Sequence, residues 1–168
     1  MIDIAPEYTK KRILILGCGN VLFGDDGFGP ATVEHMQKNC IVPSDVHVMD
    51  VGTGAGRILF TMAVSEEKPE KIIILDAVDL KRKPGEVFEI AIEDLPESKV
   101  HDFTFHLFPA TTLMKELRDK RNVDIIILAC QVEKIPELVG SDLSETVKKA
   151  VPKAAEIALK LAKSGFEE

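Results

Sequence analysis

Three side chains in this sequence carry groups suited to metal or proton chemistry and stand where the chain changes direction: Asp26, Asp76 and His106. Asp26 lies in Gly17-Cys18-Gly19-Asn20-Val21-Leu22-Phe23-Gly24-Asp25-Asp26-Gly27-Phe28-Gly29, between the apolar run Ile13-Leu14-Ile15-Leu16 and a helical pattern. Asp76 closes the run Ile72-Ile73-Ile74-Leu75, and His106 stands three residues before Pro109, where another helical pattern opens. Two carboxylates and an imidazole with open coordination positions suit a borderline divalent ion such as Ni²⁺ or Zn²⁺. Either carboxylate could also take a proton from a water. The plainer alternative for each acid is to cap a helix or a loop.

The glycines invite a nucleotide-binding reading, and their spacing argues against it. Gly17 and Gly19 match the start of G-x-G-x-x-G, but Leu22 stands where the third glycine belongs. Gly19 to Gly24 has the spacing of a P-loop, yet Asp25-Asp26 replace the lysine and hydroxyl that would meet phosphate. Carboxylates at the positive end of a helix repel a polyanion. Asp50, ending the second predicted strand, is the residue that would hold a ribose if a dinucleotide did bind. Of the four histidines, His35 and His47 fall within a predicted helix and strand and need no special role. Cys18, Cys40 and Cys130 form no CxxC and read as reduced, packed thiols.

These groups need a scaffold, and the hydrophobic pattern supplies an α/β one. Lys11–Gly17, a strand ending near Asp50, Lys71–Ala77, Glu86–Ile92 and Asn122–Gln131 read as five strands. Helical patterns fall between them. The first starts between Asp26 and Gly29 and ends near Asn39, the second covers Arg57–Val64, and the third runs from about Pro109 to Lys120. A final helix carries the stripe Val147, Val151, Ala154, Ile157, Ala158 and Leu161 behind a capping box of Asp142 and Glu145, and Pro152 is expected to kink or restart it. The short link after the third strand predicts that Glu86–Ile92 pairs antiparallel with it. The expected fold is a single-domain α/β three-layer sandwich over 1–168, with a mixed, mostly parallel five-stranded sheet, helices on both faces and residues 1–10 as an N-terminal extension.

With 168 residues, 45% of them apolar, the chain can bury a full core. A net charge of −7, from 21 basic and 28 acidic residues, disfavours nucleic acid and acidic membrane surfaces as partners. The longest apolar runs are far shorter than the roughly 20 residues of a membrane span, and no secretory signal precedes Arg12. A cytoplasmic protein is expected.

The motifs together are more specific. Gly17-x-Gly19-Asn20-x-Leu22-x-x-Asp25-Asp26-Gly27-x-Gly29, then Asp50 with Gly52-Thr53, Ile74-Leu75-Asp76-Ala77, His106-x-x-Pro109 and Gln131 resemble the [NiFe]-hydrogenase maturation endopeptidases from about Arg12 to Ala162. The segments Phe105–Pro109 and Cys130–Glu133 with Ile135-Pro136 look nearest to the branch serving deazaflavin-reducing hydrogenases of methanogenic archaea. The chain departs from the family pattern in carrying Asp26 where members often have Glu, and Asp50-Val51-Gly52-Thr53 where they often have Asp-Gly-Gly-Thr.

The resemblance implies an endopeptidase that removes the C-terminal extension of a [NiFe]-hydrogenase large-subunit precursor after nickel insertion. It implies Asp26 and Asp76 as catalytic residues, and Asp26, Asp76 and His106 as metal ligands. It places Gly52, Thr53, Gln131 and His101 against the substrate, and His101 competes with His106 for the ligand position. Nickel is expected to arrive with the substrate, with no organic cofactor, and the protein is expected to work as a monomer. A non-catalytic metal- or dinucleotide-binding module is the opposing reading.

Overall fold

Continuous runs of β-branched and leucine residues form strands only where both faces of a sheet are covered, and this chain has three such runs. The computed structural model describes residues 6–96, 110–134 and 138–165. Its strands are β1 (Ile13–Cys18), β2 (Val46–Gly52), β3 (Lys71–Val78), β4 (Val87–Ile90) and β5 (Asp124–Gln131), and its helices are α1 (Phe28–Asn39), α2 (Ala55–Val64), α3 (Ala110–Arg121) and α4 (Glu145–Lys163). Every residue of β1 and β3 is buried. The sheet order is β2-β1-β3-β5-β4, with β4 antiparallel and the rest parallel. The expected α/β sandwich is therefore present.

Two cores lie on the two faces. Ile13, Ile15, Ile73 and Leu75 pack with Phe28, Val33 and Met36 of α1 and with Val147, Val151, Ala154 and Ala158 of α4. Leu14, Leu16, Ile72 and Ile74 pack with Leu59 and Met62 of α2 and with Leu113, Met114 and Leu117 of α3. Two long basic side chains finish helices from afar. Lys71, 3% exposed, donates to the carbonyls of Leu161 (2.8 Å) and Ser164 (2.6 Å) at the end of α4. Arg121 donates to the Ala63 carbonyl (2.8 Å) at the end of α2. Cations at helix C-termini complement the dipole there.

Four details differ from the pattern-based expectation. β4 pairs with β5 rather than with β3, because β5 takes the free edge of β3 and the 79–86 connection crosses the end of β5 to reach its far side. Ser144, not Asp142, caps α4: its Oγ accepts from the N–H of Val147 (3.3 Å). Helix α4 continues through Pro152 rather than restarting there; Pro152 faces solvent, and buried residues on both flanking turns hold the helix to the sheet. Helix α2 begins at Ala55, two residues early, since Gly54 makes the turn.

The order 2-1-3 puts a topological switch point between β1 and β3, where the chain first runs to one side of β1 and then to the other. Crevices outside the carboxyl ends of the strands at such a point are where open α/β sheets bind ligands. Glycines let α1 sit down onto this rim. A Cβ on Gly29 would lie 2.3 Å from the Cys18 carbonyl oxygen and 2.4 Å from that of Leu75, and one on Gly17 would lie 2.6 Å from the Gly29 carbonyl oxygen. No flexible side chain can relieve a clash with backbone. Gly29→Ala is therefore expected to destabilise the protein by about 2 kcal/mol or more, read as a lower denaturation midpoint in urea with an unchanged slope.

Candidate active site at the switch point

The loop leaving β1 is wound by its own polar groups. The Asn20 side-chain oxygen accepts from the Leu22 N–H (3.0 Å), the Phe23 N–H donates to the Asn20 carbonyl (3.1 Å), and the Asp26 N–H donates to the Phe23 carbonyl (3.1 Å). Residues Gly24–Gly27 then form a short 3₁₀ turn that leads into α1 and touches β3. Gly19, at φ +136°, lets the loop close: a Cβ there would fall 1.9 Å from the Asp26 carbonyl oxygen. The Asn20 N–H donates to Asp26 Oδ2 at 2.9 Å, so the half-buried Asp26 carboxylate is held at the mouth of α1.

Asp76 reaches the same rim from the neighbouring strand. Gly17 pairs with Leu75, so Asp76 is the next residue along β3, beside the point where the chain leaves β1 for the Asp26 loop. It alternates with Ile72 and Ile74 and so belongs to the sheet face packed by α2 and α3. Its carboxylate is 1% exposed, and Oδ1 accepts from the Ala77 N–H at 2.9 Å. Asp26, in the turn that follows β1 and touches β3, and Asp76, near the carboxyl end of β3, thus both lie on the rim at the switch point.

His106 and His101 lie outside the described residues, as do Pro109, Ile135 and Pro136. The described chain resumes at Ala110, which is buried in the layer that Asp76 belongs to. Among the described residues no three His, Cys, Asp or Glu side chains gather closely enough to hold a metal ion. The two acids supply hard oxygen donors, and a borderline ion such as Ni²⁺ would call for a nitrogen from a third.

The remaining expected site residues divide. Gly52, at φ +52°, accepts from the Gly19 N–H (2.9 Å) through its carbonyl, and its own N–H donates to Asp50 (2.8 Å). A bulge at Val51 lets β1 pair Gly17 with Asp50 and Cys18 with Gly52, which turns Thr53 outward. Thr53, Val51, Gly54 and Arg57 line a cavity of about 290 Å³ at the start of α2. A larger one of about 470 Å³ lies on the α1 side, lined by Val21, Gly27, Pro30, Glu34, Asp50 and Asp142. Gln131 is 3% exposed and its amide is fully engaged. Its oxygen accepts from the N–H groups of Leu80 (2.9 Å) and Arg82 (3.1 Å), and its nitrogen donates to Asp79 (3.0 Å) and the Val132 carbonyl (3.0 Å). These bonds carry the 79–86 connection over the end of β5, and the bond from Gln131, together with hydrogen bonds from the Lys81 side chain and N–H, holds the Asp79 carboxyl below the usual range.

One functional neighbour escaped the pattern reading. Asp25, adjacent to Asp26, is 1% exposed and turned inward. It accepts from the N–H groups of Glu133 (2.9 Å), Lys134 (3.2 Å) and Ser144 (2.7 Å) and from the Ser144 hydroxyl (3.0 Å). The loop leaving β1, the loop leaving β5 and the start of α4 therefore meet on one carboxylate. Nothing in the local sequence distinguishes Asp25 from Asp26; the neighbouring Phe28, wholly buried, was the available hint that this turn has an inward side.

The family described as hydrogenase maturation protease matches residues 30–161. A protein named as a hydrogenase maturation protease in Methanocaldococcus jannaschii is 40% identical over 152 residues, covering 89% of this chain and 96% of that one. This chain belongs to the hydrogenase maturation protease family. It is also similar to the coenzyme F420 hydrogenase subunit delta of Methanothermobacter thermautotrophicus, 32% identical over 152 residues, or 88% of this chain and 92% of that one. Among solved structures it resembles the hydrogenase maturating endopeptidase HybD from E. coli at a TM-score of 0.64 and 28% identity, over 92% of this chain and 94% of that chain. The protein is accordingly a peptidase.

The Cys130 thiol at the end of β5 is held un-ionised in the folded protein. Burial and the charge of Asp25 push the Cys130 thiol up to about 12, so it carries no thiolate at neutral pH. Cys18 is buried as well, and Cys40 is half-buried. Iodoacetamide at pH 8 is expected to label Cys40 in the folded protein and Cys18 and Cys130 only after unfolding, as peptide mass mapping would record. Labelling of Cys130 in the folded protein at the rate of a free thiol would contradict this account of its surroundings.

Asp25→Ala should destabilise the protein by about 2–4 kcal/mol, because it leaves three backbone N–H groups without their acceptor. Chemical denaturation measures this, with Asp26→Ala, at a half-buried position, as the milder comparison.

Proposed function

We propose that the protein removes the C-terminal extension of a [NiFe]-hydrogenase large-subunit precursor once nickel has been inserted, reading that nickel with Asp26, Asp76 and His106. The observation that carries this reading is the placement of Asp26 and Asp76 on one rim at the switch point, in a chain that belongs to this peptidase family. The similarity to a coenzyme F420 hydrogenase subunit delta favours a substrate from the deazaflavin-reducing branch.

Two carboxylates and one imidazole, with no thiolate, hold a borderline divalent ion weakly. Weak affinity suits a site whose metal is delivered by the substrate. A precursor lacking nickel gives these ligands nothing to coordinate, so its peptide is not drawn into register and is not cut. With nickel present, the ion fixes the scissile peptide against the rim. A water held by a carboxylate attacks the carbonyl carbon, the carboxylate takes its proton, and the same proton passes to the departing amine as the C–N bond breaks. Gly52 and Thr53, on the outer lip of the rim, are placed to line the path of the extended peptide. His101 is assigned to the substrate rather than to the ion.

The test is incubation with a nickel-loaded precursor, followed by its mass. Wild-type protein should shorten it and leave a nickel-free precursor intact. Asp26→Asn and Asp76→Asn should each slow cleavage by about a hundredfold or more while the thermal midpoint shows the fold is kept. Normal cleavage by either variant removes that residue from the mechanism. His106→Ala should lose both nickel binding in calorimetry and cleavage, and His101→Ala should keep nickel binding; the reverse result exchanges the two histidines' roles.

A further inference from the structure

Large apolar side chains exposed at loop tips are unusual enough on a soluble surface to ask what covers them. Four of them gather here from two loops. Val21 and Leu22 are 60% and 49% exposed, and Leu138 and Val139 are 79% and 63% exposed. The two tips are tied by backbone: the Gly140 N–H donates to the Leu22 carbonyl at 2.8 Å, the Gly24 N–H donates to the Ser141 carbonyl at 3.1 Å, and Phe23 and Ser141 form a parallel bridge. Asp25 lies beneath, bonding Lys134 on one side of the second tip and Ser144 on the other. The apolar groups therefore form one fixed ridge rather than two independent loops.

The ridge adjoins the candidate active site. Hydrogen-bonded turns link Asn20 to Phe23 and Phe23 to Asp26, and such turns keep their ends within about 7 Å. A protein interface of ordinary size covers about 800 Å² on each partner, a disc of roughly 16 Å radius. Any folded partner that presents a bond and a metal to Asp26 must then cover Val21 and Leu22, and it meets Leu138 and Val139 at its margin.

From this continuity we infer that the Val21-Leu22/Leu138-Val139 ridge is the docking surface for the folded body of the large-subunit precursor, engaging an apolar patch beside its metal site. The inference rests on the proposed function for the partner's identity and goes beyond it in separating docking from metal reading. The ridge carries no charge and no metal ligand, so it binds precursor whether or not nickel is present. Docking is then independent of nickel, and only cutting depends on it.

The experiment compares wild type, the double variant Leu22→Ser/Leu138→Ser, the single variant Val139→Ser, and Ile41→Ser. Ile41, 95% exposed beyond the far end of α1, serves as an equally apolar control away from the rim. The probes are nickel-free and nickel-loaded precursor, with binding followed by calorimetry and cleavage by mass. Wild type and Ile41→Ser should bind nickel-free precursor equally. The double variant should bind it roughly tenfold more weakly or worse and raise KM for the loaded precursor with kcat unchanged, and Val139→Ser should fall between. Equal binding by wild type and double variant overturns the ridge, as does a wild type that cuts loaded precursor without binding the nickel-free form. Precursor bound through the ridge but never cut would leave the ridge standing and remove the proposed activity.

Discussion

The rim depends on one buried carboxylate. Asp25 gathers three backbone N–H groups and a hydroxyl from segments more than a hundred residues away in sequence. An ionised carboxylate without partners inside a protein is strongly unfavourable, and the same group surrounded by donors becomes a fixed junction. The dependence runs both ways. The N–H groups of Glu133, Lys134 and Ser144 lie at the end of a strand and the start of a helix, where no ladder or turn of their own would satisfy them. One side chain thus fixes how far the β1 loop, the exit from β5 and the first turn of α4 stand from each other.

The glycines around it serve closeness of backbone rather than recognition of phosphate. Gly17 and Gly29 bring α1 down onto β1 and β3, and Gly19 folds the loop back until it touches Asp26. This explains why a stretch that looks like a nucleotide fingerprint lacks its third glycine: Leu22 belongs to a turn whose outer face is apolar, not to a cradle. The loop uses its flexibility to bring Asp26 to the rim that Asp76 reaches from β3, and an acid there is incompatible with a phosphate at the helix mouth.

Much of this architecture was legible in the sequence, and the failures were non-local. Runs such as Ile72-Ile73-Ile74-Leu75 announce a buried parallel strand because nothing else tolerates so many β-branched residues in a row. The position of Asp76 at the carboxyl end of that strand followed directly. Strand pairing did not. The short link after β3 suggested a hairpin, but hairpin pairing requires a free edge, and β5 occupies it. Gln131 decides the matter from the tip of β5 by holding the N–H groups of Leu80 and Arg82, a contact across 49 and more residues that no local pattern encodes. That α4 does not restart at Pro152 has a related reason: a proline inside a helix costs about 3 kcal/mol in isolation, and the buried alanine stripe of α4 holds the helix together across it.

Asp25 and Asp26 show most clearly where sequence reading stops. Adjacent and chemically identical, they differ only in direction. In a 3₁₀ turn successive side chains point about a third of a revolution apart, so when one carboxylate is committed to the interior its neighbour must leave it. Inward, Asp25 meets four donors and can form no further bond of consequence; at the rim, Asp26 keeps one oxygen on the Asn20 N–H and remains half-buried. The anchor therefore sets the aim of the residue assigned to chemistry. On the proposed reading this arrangement also keeps the site weak toward free metal. Asp25, which could have completed a three-carboxylate cluster, is bound into the scaffold, and a cation must bring most of its own coordination with it. A site that is rigid in position yet short of ligands distinguishes a metal already seated in a protein from one loose in solution, because only the former arrives with its other ligands attached.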